Sequence, residues 1–137
     1  MSLSWQLTDT PDAAVSELGR QLAAYNDATV GPSGRTQLAI TVHEGDDLVA
    51  GLNGMTAWGW LYVQWLWVAE SQRGKGLAGA LLERAEAEAR ARGCTGAHID
   101  TFNPVARARY EAAGYQPFGC LPEFVAGRSR VFLSKKL

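Results

Sequence analysis

The sequence predicts an α+β fold built on a mixed, mostly antiparallel central sheet of six to seven strands flanked by helices. Three observations predict it. Short strand-like segments follow one another along much of the chain, and three stretches instead repeat apolar residues at helical spacing. The resulting order, β-α-β-β-β-α-β-α-β-β, has mostly consecutive strands and few helices, which does not suit a doubly wound parallel sheet. With 137 residues, 47% of them hydrophobic and 20% charged, the chain suffices for one globular domain over 1–137 and not for two.

Residues 3–7 read as a first strand. Thr10 is placed to cap a helix in which Pro11 takes the first position, where its missing N–H costs nothing. Val15, Leu18, Leu22 and Tyr25 continue that helix over 11–25. Residues 26–35 read as loop, with Gly31, Pro32, Ser33 and Gly34 as breakers, and a loop this long is often functional. Segments 37–44 and 48–56 are strands joined by the turn Gly45-Asp46-Asp47. Segment 60–68 is apolar on both alternate faces and rich in aromatic and β-branched residues, which predicts a central strand covered on both sides.

Residues 75–92 form the clearest helix. Leu77, Leu81, Ala85 and Ala89 make one stripe with Ala78 and Leu82 beside it, while Glu83, Arg84, Glu86, Glu88 and Arg90 are expected to face water. The pairs Glu86–Arg90 and Glu88–Arg92 are worth about 0.2–0.5 kcal/mol each. Gly93 is the stop. Residues 97–101 are a short strand. Asn103 caps a helix begun by Pro104, which carries Ala106, Tyr110 and Ala113 inward and ends at Gly114. Segments 115–120 and 130–135 close the chain as strands.

Thirteen Lys and Arg against fourteen Asp and Glu leave a formal charge of −1. A strongly basic footprint is absent, so no nucleic-acid partner is expected. Cys94 and Cys120 are too few for a disulfide framework, and with only His43 and His98 they form no metal-ligand spacing, so no metal is expected. The opening residues lack a cationic stretch followed by an apolar core. No apolar run approaches the roughly 20 residues that span a bilayer. No membrane partner and a cytoplasmic location are the expectations.

The main chemical signal is Arg73-Gly74-Lys75-Gly76-Leu77-Ala78-Gly79, between an apolar strand and the start of the long helix. Glycines let the backbone turn tightly and let a ligand approach its amides. The helix start beyond them offers unpaired N–H groups and partial positive charge, and Arg73 and Lys75 add formal charge. Phosphate fits this description; a glycine-rich turn that merely starts a helix is the structural alternative. Two phosphate ligands compete. Gly74-x-Gly76-x-x-Gly79 matches the dinucleotide fingerprint, and Asp100 follows 21 residues after Gly79, where a ribose-binding acid belongs. The context disagrees. Residues 69–73 separate the loop from its strand, a helix and several strands precede it, and about 58 residues after Gly79 are too few to complete a doubly wound sheet. A P-loop is excluded, because no Gly-x-x-x-x-Gly-Lys-Ser/Thr occurs.

The second ligand is the pyrophosphate of coenzyme A. Arg73-x-x-Gly76-x-Ala78 resembles the signature of the GCN5-related N-acetyltransferases (GNAT), and it follows Leu66-Trp67-Val68 as it would follow that family's fourth strand. Asn103-Pro104-x-Ala106-x-x-x-Tyr110-Glu111-x-x-Gly114-Tyr115 resembles the second signature, and Phe132-Leu133-x-Lys135-x-Leu137 the last strand. The resemblance covers residues 38–137. A Gly-Cys before strand five and a Gly-x-Ser-Arg before the last strand are similar to a group of small bacterial members.

The resemblance implies acetyl-CoA as co-substrate and a small-molecule amine as acceptor, with a homodimer compatible with it. It places Arg73, Gly74, Lys75, Gly76, Leu77, Ala78 and Gly79 on the pyrophosphate. Leu66, Trp67 and Val68 would lie along the pantetheine arm in a cleft where the family's strands four and five splay, and the Val68 amide would polarise the thioester carbonyl. Asn103 would bond the pantetheine, a role compatible with its reading as an N-cap. Tyr110 would protonate the departing thiolate; its structural alternative is a core aromatic. The proton acceptor stays open among His43, Glu44, Asp100 and a water relay, because Gln64, the polar residue on strand four, cannot take a proton. One or two of the tryptophans between Trp58 and Trp67 could line a pocket for an apolar or cationic amine. Arg128 and Arg130 could address an acidic acceptor, with a solvated strand end as the structural alternative. A peptide acceptor and a non-catalytic acyl-CoA module are the rival readings.

Overall fold

A computed structural model describes residues 2–137. Backbone contacts divide the chain into two compact units, one ending at Ser33 and one spanning 34–137.

The first unit contains helix α1, Asp12–Val30. Residues 3–7, expected as a strand, form no ladder: a strand needs partners for its backbone groups as well as suitable side chains. Thr10 does not cap α1. Its own N–H donates to Thr8 Oγ1 at 3.0 Å, and Pro11 occupies the N-cap position, its carbonyl accepting from Val15 N–H at 2.7 Å. The helix also runs five residues beyond its expected end, so the loop shortens to residues 31–35. Asn26, Asp27 and Thr29 are weak helix formers, yet nothing in them forbids helix. Thr29 Oγ1 donates back to the Tyr25 carbonyl, and the stop comes at Gly31, whose φ of +89° is the first angle the helix cannot continue.

The second unit is a six-stranded sheet with two helices. Its strands are β1 Thr36–Glu44, β2 Asp47–Ala57, β3 Trp60–Val68, β4 Gly96–Thr101, β5 Gln116–Val125 and β6 Arg128–Lys136. The spatial order is β1-β2-β3-β4-β6-β5, with β3 and β4 parallel and every other pair antiparallel. Helix α2, Leu77–Ala91, is the crossover that a parallel neighbour requires, and α3, Pro104–Ala112, links β4 to β5. Alternate residues of the sheet, among them Leu38, Leu52, Leu61, Val63, Ile99 and Leu133, pack with Leu81, Leu82, Ala85 and Ala89 of α2.

Strand β3 is third of six, hence central, but it is covered on one face. Leu61 and Val63 are fully buried, whereas Trp60, Trp65 and Trp67 stand 45–68% exposed. The aromatic richness of the segment therefore reflects the preference of such side chains for a pleated strand, and does not require burial of both faces. Glu86, expected in water, is 3% exposed. It lies next to the apolar stripe and accepts from Tyr115 Oη at 3.0 Å and Lys135 Nζ at 2.7 Å, which compensates its burial. Lys135 also donates to the Ala113 carbonyl at 2.8 Å, so this cluster ties α2 and the end of α3 to β6.

Candidate active site

The site begins with a bulge. Opposite β2, Gly54 pairs with Val63 and Asn53 with Trp65, so Gln64 has no partner and β3 bends there. Gly54 permits the close approach: a Cβ at that position would collide with the Tyr62 carbonyl. Past the bulge β3 follows β2, while β4 follows β6. The parallel ladder accordingly ends at Val63–Ile99. The sheet splits.

The split leaves backbone groups without a neighbouring strand. Ala69 N–H donates to Val49 O at 2.8 Å and Trp65 N–H to Asn53 Oδ1 at 3.1 Å, both toward β2. Strand alternation then turns the N–H and C=O of Leu66 and Val68 the other way, into the space β4 has left. Arg73 Nε donates to the Val68 carbonyl at 3.1 Å from that side.

A cleft of about 330 Å³ occupies this space. Leu66, Trp67 and Val68 form its strand wall; Arg73, Gly74, Leu77 and Ala78 form its loop and helix wall; Asn103 and Tyr110 come from the third side. The structure thus gathers nine of the twelve residues singled out from sequence. Gln72, Val105, Ala106 and Arg109 also line it; Gln72 lies outside both signatures, and Val105 and Arg109 fall at positions that the second signature leaves open.

Lys75, Gly76 and Gly79 do not line this cleft. Gly76 is the N-cap of α2 in the left-handed region (φ +78°, ψ 14°), and Gly74 shares that φ. The two turns lead into the first turn of α2, whose N–H groups have no intrahelical acceptors and whose Leu77 and Ala78 stand in the cleft wall. No side chain among the described residues caps them and no acid stands in the first turn, so the positive end of the helix is left open. Lys75 Nζ donates to Gln72 Oε1 at 3.1 Å, and Gln72 Nε2 to Glu44 Oε2 at 3.0 Å, anchoring the loop to the end of β1. Gly79 borders a separate hollow between α2 and α3.

Asn103 Oδ1 accepts from Val105 N–H at 2.9 Å and caps α3. Tyr110 is 5% exposed and lines two clefts, the one just described and a second of about 460 Å³. Burial, reinforced by the charge of Asp100, raises its phenol above the ordinary value, so the group is a neutral O–H donor at pH 7.

The second cleft holds Tyr62, Gln64, Trp65, Asp100, Phe102, Phe124 and Arg130. Asp100 and Arg130, 30 residues apart in sequence, form an ion pair: Nη2 and Nε lie 2.7 and 2.9 Å from Oδ1. The guanidinium also sits over Phe124 and Phe132, at 5.3 and 5.5 Å from the ring centroids. Arg130 is therefore part of a cleft and not a solvated strand end. Arg128 lines a different hollow. Of the residues considered as proton acceptors, Asp100 lies in this cleft, whereas Glu44 is engaged with Gln72 and His43 is opposite Leu48 in the β1–β2 ladder. Among the described residues no three His, Cys, Asp or Glu side chains converge on a metal position, and no helix is long and apolar enough to cross a membrane.

A helix opened by left-handed glycines at the mouth of a split parallel strand pair, with a buried phenol across it, is the architecture of an acetyltransferase of the GNAT type. Comparison bears this out: the model of the Acetyltransferase (GNAT) family matches residues 4–115, and the chain belongs to that family. It is 46% identical to acetyltransferase Atu2258 of Agrobacterium fabrum over 136 residues, 98% of this chain and 99% of that one. It is 38% identical over 95 residues to the blasticidin-S acetyltransferase of Streptomyces morookaense, 69% of this chain and 70% of the other. A crystal structure of an Agrobacterium tumefaciens protein assigned to the acetyltransferases superposes with a TM-score of 0.90 at 44% identity, covering 98% of this chain and all of that one.

Proposed function

We propose that this chain transfers the acetyl group of acetyl-CoA to a primary amine of a small molecule by direct attack. The observation that carries the reading is the junction at Tyr110 of two clefts, one lined by strand groups and a helix start, the other by aromatic rings and one acid. Acetyl-CoA suits the first: its amide-bearing arm is complementary to the backbone groups of Leu66 and Val68, and its pyrophosphate to the open N-terminus of α2. The similarity to a blasticidin-S acetyltransferase supports a small-molecule acceptor. The similarity to acetyltransferase Atu2258 over 98% of this chain and 99% of that one supports one functional domain over 1–137.

When bound, acetyl-CoA supplies an acyl group already activated as a thioester. The chain's own residues do the rest. The first-turn amides of α2 hold the phosphates. The Val68 N–H donates to the carbonyl oxygen as negative charge gathers there, and a donor fixed in a strand needs no reorganisation to do so. The Tyr110 hydroxyl provides the proton that the sulfur takes up as the C–S bond breaks, and the second cleft holds the amine on the opposite side. The proton that the nitrogen loses as the C–N bond forms leaves through a water relay.

Ligand-dependent melting tests the first half. A ligand bound by the native state alone raises stability by RT ln(1 + [L]/Kd), about 2.7 kcal/mol at a hundredfold excess over Kd. Coenzyme A is expected to raise Tm by several degrees and NAD not at all; an equal or larger shift with NAD would restore the dinucleotide reading of the glycine loop.

A further inference from the structure

The second cleft carries an inference that rests on the acetyltransferase reading and deepens it. Arg130 takes Asp100 by one oxygen only, both guanidinium contacts falling on Oδ1. Oδ2 receives the Tyr62 hydroxyl at a long 3.4 Å, and a carboxylate oxygen with one weak donor retains accepting capacity. The Asp100 side chain is only 16% exposed, so a donor reaching it must come through the cleft. Trp65, Phe102 and Phe124 bring ring surfaces to the same cleft. Ring faces attract cations, and Arg130 already uses Phe124 in this way. A half-engaged carboxylate walled by aromatic rings is a receptor for a cation.

We propose that Asp100 determines acceptor specificity by binding a cationic nitrogen of the substrate other than the amine that is acetylated. The acceptors are accordingly dicationic amines, with one group left charged and held on Asp100 Oδ2 while the other, deprotonated, faces the thioester. Arg130 orients the carboxylate and partly neutralises it. Asp100 and Arg130 therefore act in opposite senses on the second charge, although each removes the same ion pair when replaced.

Cadaverine and pentylamine have the same carbon chain and differ by the second ammonium. A charge-assisted hydrogen bond predicts that kcat/KM for cadaverine exceeds that for pentylamine by roughly 10-fold to 100-fold, above the factor of two its paired amines provide. Asp100→Asn is expected to cut kcat/KM for cadaverine roughly 10-fold more than for pentylamine. Arg130→Met, which keeps an apolar stem beside the rings, is expected to increase the preference for cadaverine. Equal use of both amines by the parent, or a loss of preference in Arg130→Met like that in Asp100→Asn, overturns the proposal; the latter would mean that the pair merely holds the fold. If Asp100→Asn does not fold, the direction of change in Arg130→Met decides. Should neither amine be acetylated, turnover of these two amines gives no readout, and the inference is read from binding instead. Binding of the two amines in the presence of coenzyme A, followed through tryptophan fluorescence, then decides the inference: tighter cadaverine supports it, equal affinity ends it.

Discussion

Tyr110 and Gly76 act on different stages of the proposed reaction, and single substitutions separate them. Tyr110→Phe keeps the ring that packs against Tyr115, with centroids 6.5 Å apart, and deletes only the hydroxyl. An interaction with a developing thiolate exists in the transition state and not before it, so its loss falls on kcat. General-acid assistance is worth about 10²–10⁴-fold, and a good leaving group puts the effect near or below the lower end. Steady-state kinetics are expected to show that drop with the Kd for coenzyme A unchanged; turnover within twofold of the parent makes Tyr110 a core aromatic. Gly76→Val attacks binding. A Cβ at Gly76 meets nothing within 4 Å, so no packing clash arises. The cost is conformational, about 1–2 kcal/mol for a left-handed residue, and larger for a β-branched one. Relieving that strain moves the loop that leads into the first turn of α2, so calorimetry should find coenzyme A affinity lowered roughly 10-fold or more in a chain that still gives the parent's circular dichroism. Affinity within a few-fold of the parent would reduce the loop to a turn.

Strand β4 carries a titration that bears on stability. His98 stacks on Tyr62, rings 18° from parallel and centroids 4.8 Å apart, and burial holds its pKa below 6.5, with Asp100 opposing. The native state thus binds fewer protons than the unfolded chain near pH 6, and stability rises with pH there. Stability is expected to fall as pH drops through the unfolded value of about 6.5 toward the lower native one, and then to level off. Melting curves between pH 7.5 and 5.5 should show a smaller loss in His98→Gln than in the parent; the same loss in both would place the acid sensitivity elsewhere. This strand also marks the limit of what the sequence discloses. The period of α2 and the Asn-Pro start of α3 are local patterns, and both helices form as they predict. The Asp100–Arg130 pair is not local. It arises because β6 lies beside β4, placing Asp100 opposite Phe132 and Arg130 within reach. Glu86 escapes periodicity for a related reason: it borders the apolar stripe, and the partners that compensate its burial stand 29 and 49 residues away. The signature residues of the first cleft were legible because one loop and two helix starts hold most of them. The second cleft, assembled from β3, β4, β5 and β6 with Tyr110 of α3, was not.

Across the whole molecule the decisive feature is the split of one sheet, caused by a bulge at Gln64 and exploited from both sides. It leaves strand groups for one ligand and an aromatic, acidic cleft for another, with Tyr110 between them. That arrangement matters only if both ligands meet in it. The direct measurement is consumption of acetyl-CoA by the purified protein across a panel of small primary amines. Thioester absorbance follows the reaction, and mass spectrometry identifies the acetylated amine, which avoids thiol reagents that the exposed Cys120 would also consume. Amine-dependent loss of thioester with a matching acetylated product is the predicted result. Tight coenzyme A binding with no turnover on any amine would contradict it, and would make the chain an acyl-CoA-binding module instead.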